Sequence, residues 1–180
     1  MPERPVPFSL LDAARVVARG GTFDEKLAAL TQQVRTVTDA GPVAVLLHDA
    51  DADVLLSLDG EMALPVSAAD ADTTRAAADR QPVLMSGVPE SLASLLEGAG
   101  SSLLAPLVVE DEDGAFLEGL LLLGWEMEQP PVDTVPDAVL AIADLAAVTI
   151  RQARLRNSVW EQSDHADRLS HTDRLTGLAN

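Results

Sequence analysis

The spacing of hydrophobic residues at the start of the chain predicts two entry helices over residues 9–40. A first apolar run ends at Gly20-Gly21, where glycine tolerates the left-handed turn that closes a helix. Thr22 and Glu25 then have the spacing of a capping box, which marks the start of a second helix. Apolar side chains recur along it every three or four residues and predict a buried face: Phe23, Leu27, Leu30, Val34 and Val37.

Residues 43–125 are predicted to form an antiparallel sheet with short helices. Runs rich in leucine and β-branched residues indicate strands at 43–48, 54–58, 81–85, 102–109 and 115–125. Acidic turns separate the first two strands and the last two, which predicts two hairpins. Pro82 has no N–H to donate and indicates an edge position for its strand. Ser67 is the expected N-cap of a short helix over 67–80, and another short helix is expected over 89–96.

A long helix is predicted over residues 136–172. Pro136-Asp137 suits a first helical turn, and neither glycine nor proline interrupts the chain from there to His171. At about 1.5 Å per residue, such a helix is about 50 Å long, which is more than a domain of this size can cover. Part of the helix is therefore expected to project from the domain.

The same helix carries a candidate dimer seam. Residues at alternating steps of four and three form the seam: Val148, Gln152, Leu155, Val159, Gln162, Ala166 and Leu169. The pattern predicts a parallel homodimer, weakened by the polar seam positions and by Arg151 at g facing Arg156 at e of a second copy. The alternative is a single amphipathic helix that lies on its own domain. The length of the helix favours the coiled coil.

Composition and charge restrict the function classes. The chain has 180 residues, of which 47% are hydrophobic and only 3% aromatic, so a core of Leu, Val and Ala is expected. Its 29 acidic and 12 basic side chains give a net charge of −17, so no nucleic acid and no membrane partner is expected. The absence of cysteine excludes disulfides, thiolate metal sites and thiol nucleophiles. Without a signal peptide pattern or an apolar run of membrane-spanning length, a cytoplasmic location is expected.

The candidate ligand-binding residues are Arg75, Arg80, His48 and Met85. Arg75 and Arg80 are the only basic residues among twenty acids in the stretch 41–150, so they are candidate anchors for an anionic ligand. The alternative is that they pair with nearby aspartates. His48 ends a predicted strand far from the other histidines, and a hydrogen-bonded structural role competes with a binding role. Met85 is either a pocket residue or part of the core. No metal site is expected.

Two strand motifs resemble those of a GAF domain. Residues 102–109 read Ser-Leu-Leu-Ala-Pro-Leu-Val-Val and residues 117–124 read Leu-Glu-Gly-Leu-Leu-Leu-Leu-Gly, after two helices, a hairpin and short helices. The resemblance covers residues 5–155. It implies an α+β fold, in which a PAS-like antiparallel sheet has flanking helices and a long C-terminal helix. GAF domains often sense small ligands and dimerise through terminal helices, so residues 1–135 are expected to be a sensor domain and 136–172 a signalling helix.

The last eight residues resemble the D-x-L-T-G-L-x-N signature that opens the GGDEF family of diguanylate cyclases. The matching residues are Asp173, Leu175, Thr176, Gly177, Leu178 and Asn180. GGDEF domains condense two GTP molecules into cyclic di-GMP. The resemblance implies that residues 173–180 begin a cyclase domain whose catalytic part lies beyond this chain, as an output domain in cis. The chain itself is expected to have no catalytic residues.

Three classes of function follow from these observations. The first is a regulatory sensor that binds an unidentified small molecule, needs no other cofactor and signals through a dimeric helix to the cyclase. The second is a ligandless dimerisation scaffold, and the third is an acidic module that docks a protein. A buried pocket with converging polar groups would favour the sensor, whereas a core filled by apolar side chains would favour the scaffold.

Overall fold

The computed structural model describes residues 10–112, 114–129 and 137–171, with side chains for all of these except 10–12, 16, 137 and 159–171. Within them, the helices are α1 (Leu10–Ala18), α2 (Phe23–Thr38), α3 (Ala71–Asp79) and α4 (Asp137–His171). The strands are β1 (Val43–Asp49), β2 (Val54–Ser57), β3 (Ala63–Pro65), β4 (Val83–Ser86), β5 (Ser101–Asp111) and β6 (Gly114–Trp125). Two short 3-10 helices cover Val66–Ala68 and Glu90–Leu92.

The strands form one antiparallel sheet in the order β3-β2-β1-β6-β5-β4. The two predicted hairpins are confirmed, since β1 pairs with β2 and β5 with β6. The predicted edge position is also confirmed, because β4 begins at Val83, directly after Pro82, and pairs only with β5. Strand β3 was not predicted, because three residues that end in Pro65 carry no alternating pattern.

Helices α1, α2 and α4 cover one face of the sheet. The capping box at Thr22 and Glu25 starts α2 as predicted, with both reciprocal hydrogen bonds formed. The indole Nε1 of Trp125 donates to the Thr38 carbonyl over 3.0 Å and ties β6 to the end of α2. The buried residues between these helices and the sheet are the helix-side cluster, which includes Leu27, Leu30, Val34, Val45, Leu103, Leu107, Leu121, Leu123, Ile142, Ala146 and Ile150.

Helix α3 and the Glu90–Leu92 helix lie over the opposite face. The buried residues beneath them are the roof-side cluster: Leu46, Leu55, Ala76, Val83, Leu92, Leu96, Leu104, Leu120 and Leu122. Successive side chains of β6 thus alternate between the two clusters. Because both faces are covered, the strand is an almost continuous apolar run rather than an alternating one.

A β-bulge interrupts the pairing of β5 with β6. Leu107 lies opposite Gly119 and Val108 opposite Leu117, so Glu118 is the extra residue on β6. Gly119 must be glycine, because a Cβ there would lie 2.0 Å from the Leu46 carbonyl oxygen. The bulge lets Glu118 point towards α4, although the strand enters the two core clusters only two and three residues later, at Leu120 and Leu121.

Several predicted boundaries were wrong. Asp70, and not Ser67, caps α3, because its carboxylate accepts from the amides of Asp72 and Thr73. The helix expected over 89–96 is a 3-10 helix of three residues. Strand β2 ends at Ser57, where the chain turns through a hydrogen bond from Ser57 to the Asp59 carboxylate.

Helix α4 runs without interruption from Asp137 to His171, as predicted. Its first part packs against α1, α2 and the sheet, and its core contacts end at Ile150. Beyond that point the described side chains are exposed or half-buried, so this part of α4 extends past the domain core. No helix in the described part of the chain is long and apolar enough to cross a membrane.

Candidate functional site

The two predicted anion anchors are exposed, Arg75 on α3 and Arg80 directly after it. Arg75 forms an ion pair with Asp72 one turn earlier, with 2.9 Å between Nη2 and the carboxylate oxygen. Arg80 follows α3 in a left-handed conformation with φ of 54° and is exposed. Neither side chain points into the buried roof-side cluster. This ion pair is the aspartate pairing that the sequence offered as the alternative, and a role of the two arginines in ligand binding stays a prediction.

His48 lies at the end of β1 and is held by hydrogen bonds at both ring nitrogens. Nδ1 lies 3.2 Å from the carbonyl oxygen of Leu117 in β6, and Nε2 lies 3.1 Å from the carboxylate of Asp53. With both nitrogens engaged, the ring fastens β1 to β6 and to the turn before β2. Both ring nitrogens of His48 thus have partners in the same chain, and a role of His48 in ligand binding stays a prediction.

Met85 is half-buried on the edge strand β4 and packs against the roof-side cluster. It lies far from His48, because β6 and β5 separate β1 from β4. Measured along the sheet, three strand spacings amount to about 14 Å. The structure therefore does not bring the four predicted ligand-binding residues together into one site.

An open groove of about 340 Å³ lies between α3 and the Glu90–Leu92 helix. Asp70 and Glu90 line it together with Ser91, so its charge opposes an anionic ligand. Burial alone would raise the pKa of Asp70, but the hydrogen bonds donated by Ser91 and Thr73 hold it below its ordinary value. The carboxylate of Asp70 thus already accepts hydrogen bonds from its own chain.

A charged cluster lies where α4 leaves the sheet, and we call its three residues, Glu118, Arg151 and Arg154, the exit cluster. Glu118 is only 1% exposed. Its Oε1 lies 3.2 Å from Nη1 of Arg151, and its Oε2 lies 2.9 Å from Nη1 of Arg154. Each oxygen of the buried carboxylate is therefore within ion-pair distance of its own guanidinium on α4, and Oε1 also accepts a hydrogen bond from Arg151, whereas Oε2 accepts none from the described residues.

Both arginines make further contacts that join α4 to the sheet. Arg154 donates to the backbone carbonyls of His48 and Glu118. Arg151 reaches the Asp111 carboxylate over 3.4 Å and stacks on Phe116, with 4.7 Å from the guanidinium carbon to the ring centroid. The cluster thus connects α4 with β1, β5 and β6.

Comparison with solved structures gives matches over most of the chain. The GAF domain of an Acinetobacter phosphoenolpyruvate-protein phosphotransferase has a TM-score of 0.66 at 14% identity, over 83% of this chain and 94% of that chain. The second GAF domain of DevS from Mycobacterium smegmatis has a TM-score of 0.56 at 21% identity, over 82% and 99%. The chain has the fold of a GAF domain. No protein-family model matches the sequence, and no curated protein matches it.

One structural neighbour of the GAF fold is an enzyme. The free methionine-R-sulfoxide reductase from Neisseria meningitidis, solved in complex with its substrate, has a TM-score of 0.63 at 19% identity, over 82% of this chain and 89% of that chain. Identities this low show the fold and nothing about activity. The predicted GAF-like fold class, an antiparallel sheet with flanking helices and a long C-terminal helix, is confirmed.

The structure describes the side chains of only some of the predicted seam residues of α4. Val148, Gln152 and Leu155 are exposed along one side of α4, with Val148 40% and Leu155 55% exposed. Beside them lies Asp144, whose pKa is raised by partial burial and by repulsion from Glu110. The side chains of the remaining seam residues, Val159, Gln162, Ala166 and Leu169, lie outside the described part. The cyclase-like motif from Asp173 to Asn180 also lies outside it.

The exit cluster was missed by sequence reasoning. Glu118 appeared only as one residue of a strand motif, and Arg151 was assigned to the g position of a coiled coil. In the structure Arg151 is engaged by Glu118 and Asp111 of its own chain. A signal was present, because Glu118 is an isolated acid in a long apolar strand and the two arginines are three residues apart on one helix.

Proposed function

We propose that this chain is a regulatory GAF module that forms a parallel homodimer through α4 and passes a conformational change along α4 to an output domain. One observation carries the proposal, namely the outer side of α4. The positions at heptad spacing there are all apolar before Gln152 and none is fully buried: Ala138, Ala141, Leu145 and Val148. Leu155 continues this strip beyond the core. A second copy of α4 is the partner that such a strip fits.

The output domain in this proposal is a diguanylate cyclase. The support is the similarity of the residues from Asp173 to Asn180 to the opening GGDEF signature. A parallel dimer of α4 would place the two following domains side by side, which suits a reaction that joins two GTP molecules. Since GTP is a cytoplasmic substrate in this scheme, the module would work in the cytoplasm.

The packing of the roof-side cluster favours a second candidate function, a ligandless dimerisation scaffold. The buried apolar residues of this cluster are all Leu, Val or Ala. The buried hydroxyls of Thr73 on α3 and Ser102 on β5 already donate to acceptors of the same chain, the Asp70 carboxylate and the Gly87 carbonyl. A small-molecule sensor needs a cavity with a few converging polar groups. Native mass spectrometry of the purified chain separates the two, because a retained small molecule supports the sensor and contradicts the scaffold.

A catalytic role of the GAF module itself is not part of the proposal. Reduction of a sulfoxide requires two electrons, which a pair of protein thiols can supply by forming a disulfide. The chain contains no cysteine. It therefore has no protein thiol that could supply these electrons.

The dimer is tested by Leu155→Glu. We expect light scattering to give the mass of a dimer for the wild type and a dissociation constant at least about tenfold higher for the variant, because two charges would be buried in the seam. Met127→Glu is the matched control, since Met127 is 56% exposed and lies outside α4. A monomeric wild type at micromolar concentration, or equal effects of the two substitutions, contradicts the proposal.

The cyclase assignment needs a separate test. The chain extended by the segment that follows Asn180 in its gene should form cyclic di-GMP from GTP, measured by chromatography of the nucleotides. Leu155→Glu in this longer protein should lower the rate, and Met127→Glu should leave it unchanged. A segment that forms no cyclic di-GMP in either monomeric or dimeric protein contradicts the assignment.

A further inference from the structure

The exit cluster lies at the boundary between the packed and the projecting parts of α4. Ile150 is the last core residue of the helix, and Arg151 and Arg154 follow within the next turn. Contacts at this position determine the direction in which the rest of α4 leaves the sheet. A small tilt there is amplified along the helix, because each further residue adds about 1.5 Å of lever arm.

The bulge on β6 connects the exit cluster with the opposite face of the sheet. Glu118 faces α4, while Leu120 and Leu122 on the same strand belong to the roof-side cluster. Gly119, which lies between Glu118 and Leu120, packs so closely against the Leu46 carbonyl that no side chain would fit there. A shift or twist of β6 that originates in the roof-side cluster would therefore move the Glu118 carboxylate relative to its two arginines.

We propose that Glu118, Arg151 and Arg154 act as a latch, which fixes the direction of α4 while it is closed and lets the helix reorient when β6 moves. The inference rests on the proposed function, since it names the contact through which the GAF module would control α4. The three are positioning residues, because none of them touches a substrate.

The energetics of the contact fit a latch better than a simple stabilising bridge. Taking a carboxylate out of water offsets much of its attraction to the arginines, so a buried ion pair contributes little net stability while it favours one geometry. The side chains of Arg151 and Arg154 are 32% and 38% exposed, so water can hydrate their guanidinium groups when the contacts with Glu118 break. Because an unpaired buried carboxylate is costly, the open state requires that the movement of β6 also brings Glu118 into contact with water.

The latch is tested by the distance between two spin labels in one chain. Because the chain has no cysteine, Gln32→Cys on α2 and Asn157→Cys on α4 provide two unique labelling sites, both exposed. The labelled chain is diluted into an excess of unlabelled chain, so that only distances within one chain are measured. We expect one narrow distance distribution for the closed latch.

Glu118→Gln and Arg154→Gln should both broaden this distribution and shift its maximum. Glu97→Gln and Arg75→Gln are the matched controls, because they remove the same charges from exposed positions away from α4 and should keep the wild-type distribution. Arg154→Lys keeps the charge but loses the planar fork that reaches Glu118 and the His48 carbonyl together, so an intermediate width is expected.

An unchanged distribution in both glutamine variants overturns the latch, even if they unfold more easily than the wild type. If circular dichroism shows that both glutamine variants are unfolded, Arg154→Lys becomes the test of the latch. An unchanged spin-label distance distribution in Arg154→Lys then overturns the latch. Light scattering of the same samples reports the dimer independently. A monomeric chain with a latch-dependent distance therefore contradicts the proposed function and leaves the latch supported.

Discussion

Asp70 joins α3 to the Glu90–Leu92 helix, the two helices that lie over the roof-side cluster. Its carboxylate caps α3 through the amides of Asp72 and Thr73 and also accepts the Ser91 hydroxyl from the neighbouring short helix. Ser67 had the composition of a cap, but the chain forms a 3-10 helix over Val66–Ala68 and starts α3 only after Asp70. Local propensity predicted that a helix starts near this point. Which residue caps the helix depends on where α3 begins to pack on the sheet.

Asp70→Ala is expected to lower the free energy of unfolding by about 1 kcal/mol at neutral pH, the usual cost of a lost N-cap. The folded-state pKa of Asp70 is lowered, so its contribution is complete above the unfolded pKa of about 3.9 and is lost as the pH falls through the folded-state value. In urea titrations, the difference in the free energy of unfolding between wild type and variant should therefore become smaller only below about pH 4.

The control for this prediction is Asp79→Ala at the other end of α3. Asp79 is exposed and lies at the negative end of the helix dipole, so its removal should leave the stability unchanged or slightly raised. Two results would mean that Asp70 does not act as a charged cap. One is an equal loss of unfolding free energy in both variants. The other is a destabilisation by Asp70→Ala that stays constant down to pH 2.

Helix α4 combines two elements of different character. Its buried half ends at Ile150 and belongs to the helix-side cluster, whereas the described side chains beyond it are exposed or half-buried. The sequence predicted the helix and its length, because nothing between Pro136 and His171 breaks it. It did not show where the helix separates from the domain, since that point depends on how far the sheet extends beneath it.

Asn157→Pro tests the independence of the projecting part. Proline within a helix costs about 3 kcal/mol locally, yet we expect the free energy of unfolding of the domain to change by less than about 0.5 kcal/mol, because Asn157 lies beyond the core. Dimer formation should be lost, as measured by sedimentation.

Ala146→Pro is the matched variant in the buried half, where Ala146 is 2% exposed. The same break there should unfold the domain or destabilise it by about 3 kcal/mol or more. If instead Asn157→Pro destabilises the domain as much as Ala146→Pro does, the projecting part of α4 is required for the fold and cannot act as a separate transmission element.

The whole molecule carries a large excess of negative charge. The stretch 41–150, which contains all the described strands and the first part of α4, carries twenty acids against two arginines and therefore accounts for the net charge of −17. Arg151 and Arg154 compensate the buried Glu118, Arg151 also pairs with Asp111, and Arg75 pairs with Asp72. The acids of this stretch still greatly outnumber these basic partners. Repulsion among these acids opposes the compact state at low ionic strength.

The melting temperature should therefore rise when sodium chloride is added from 10 to 150 mM, by about 2 to 4 °C for each kcal/mol of repulsion that is screened. Sucrose at the same osmolality is the uncharged control for solvent effects. A melting temperature that falls with salt would show that ion pairs such as Arg75–Asp72 and the exit cluster outweigh the general repulsion.

The sequence by itself determined the entry helices, the two hairpins, the edge strand and the uninterrupted α4, because caps, turns and hydrophobic periodicity are local properties. It also carried the fold class through two strand motifs. Only the tertiary structure decided the exit cluster, since Glu118 meets residues 33 and 36 positions later in the chain through a bulge that no local pattern shows. Tertiary structure likewise separated His48 from Met85, because strand order and not chain order sets the distance between them.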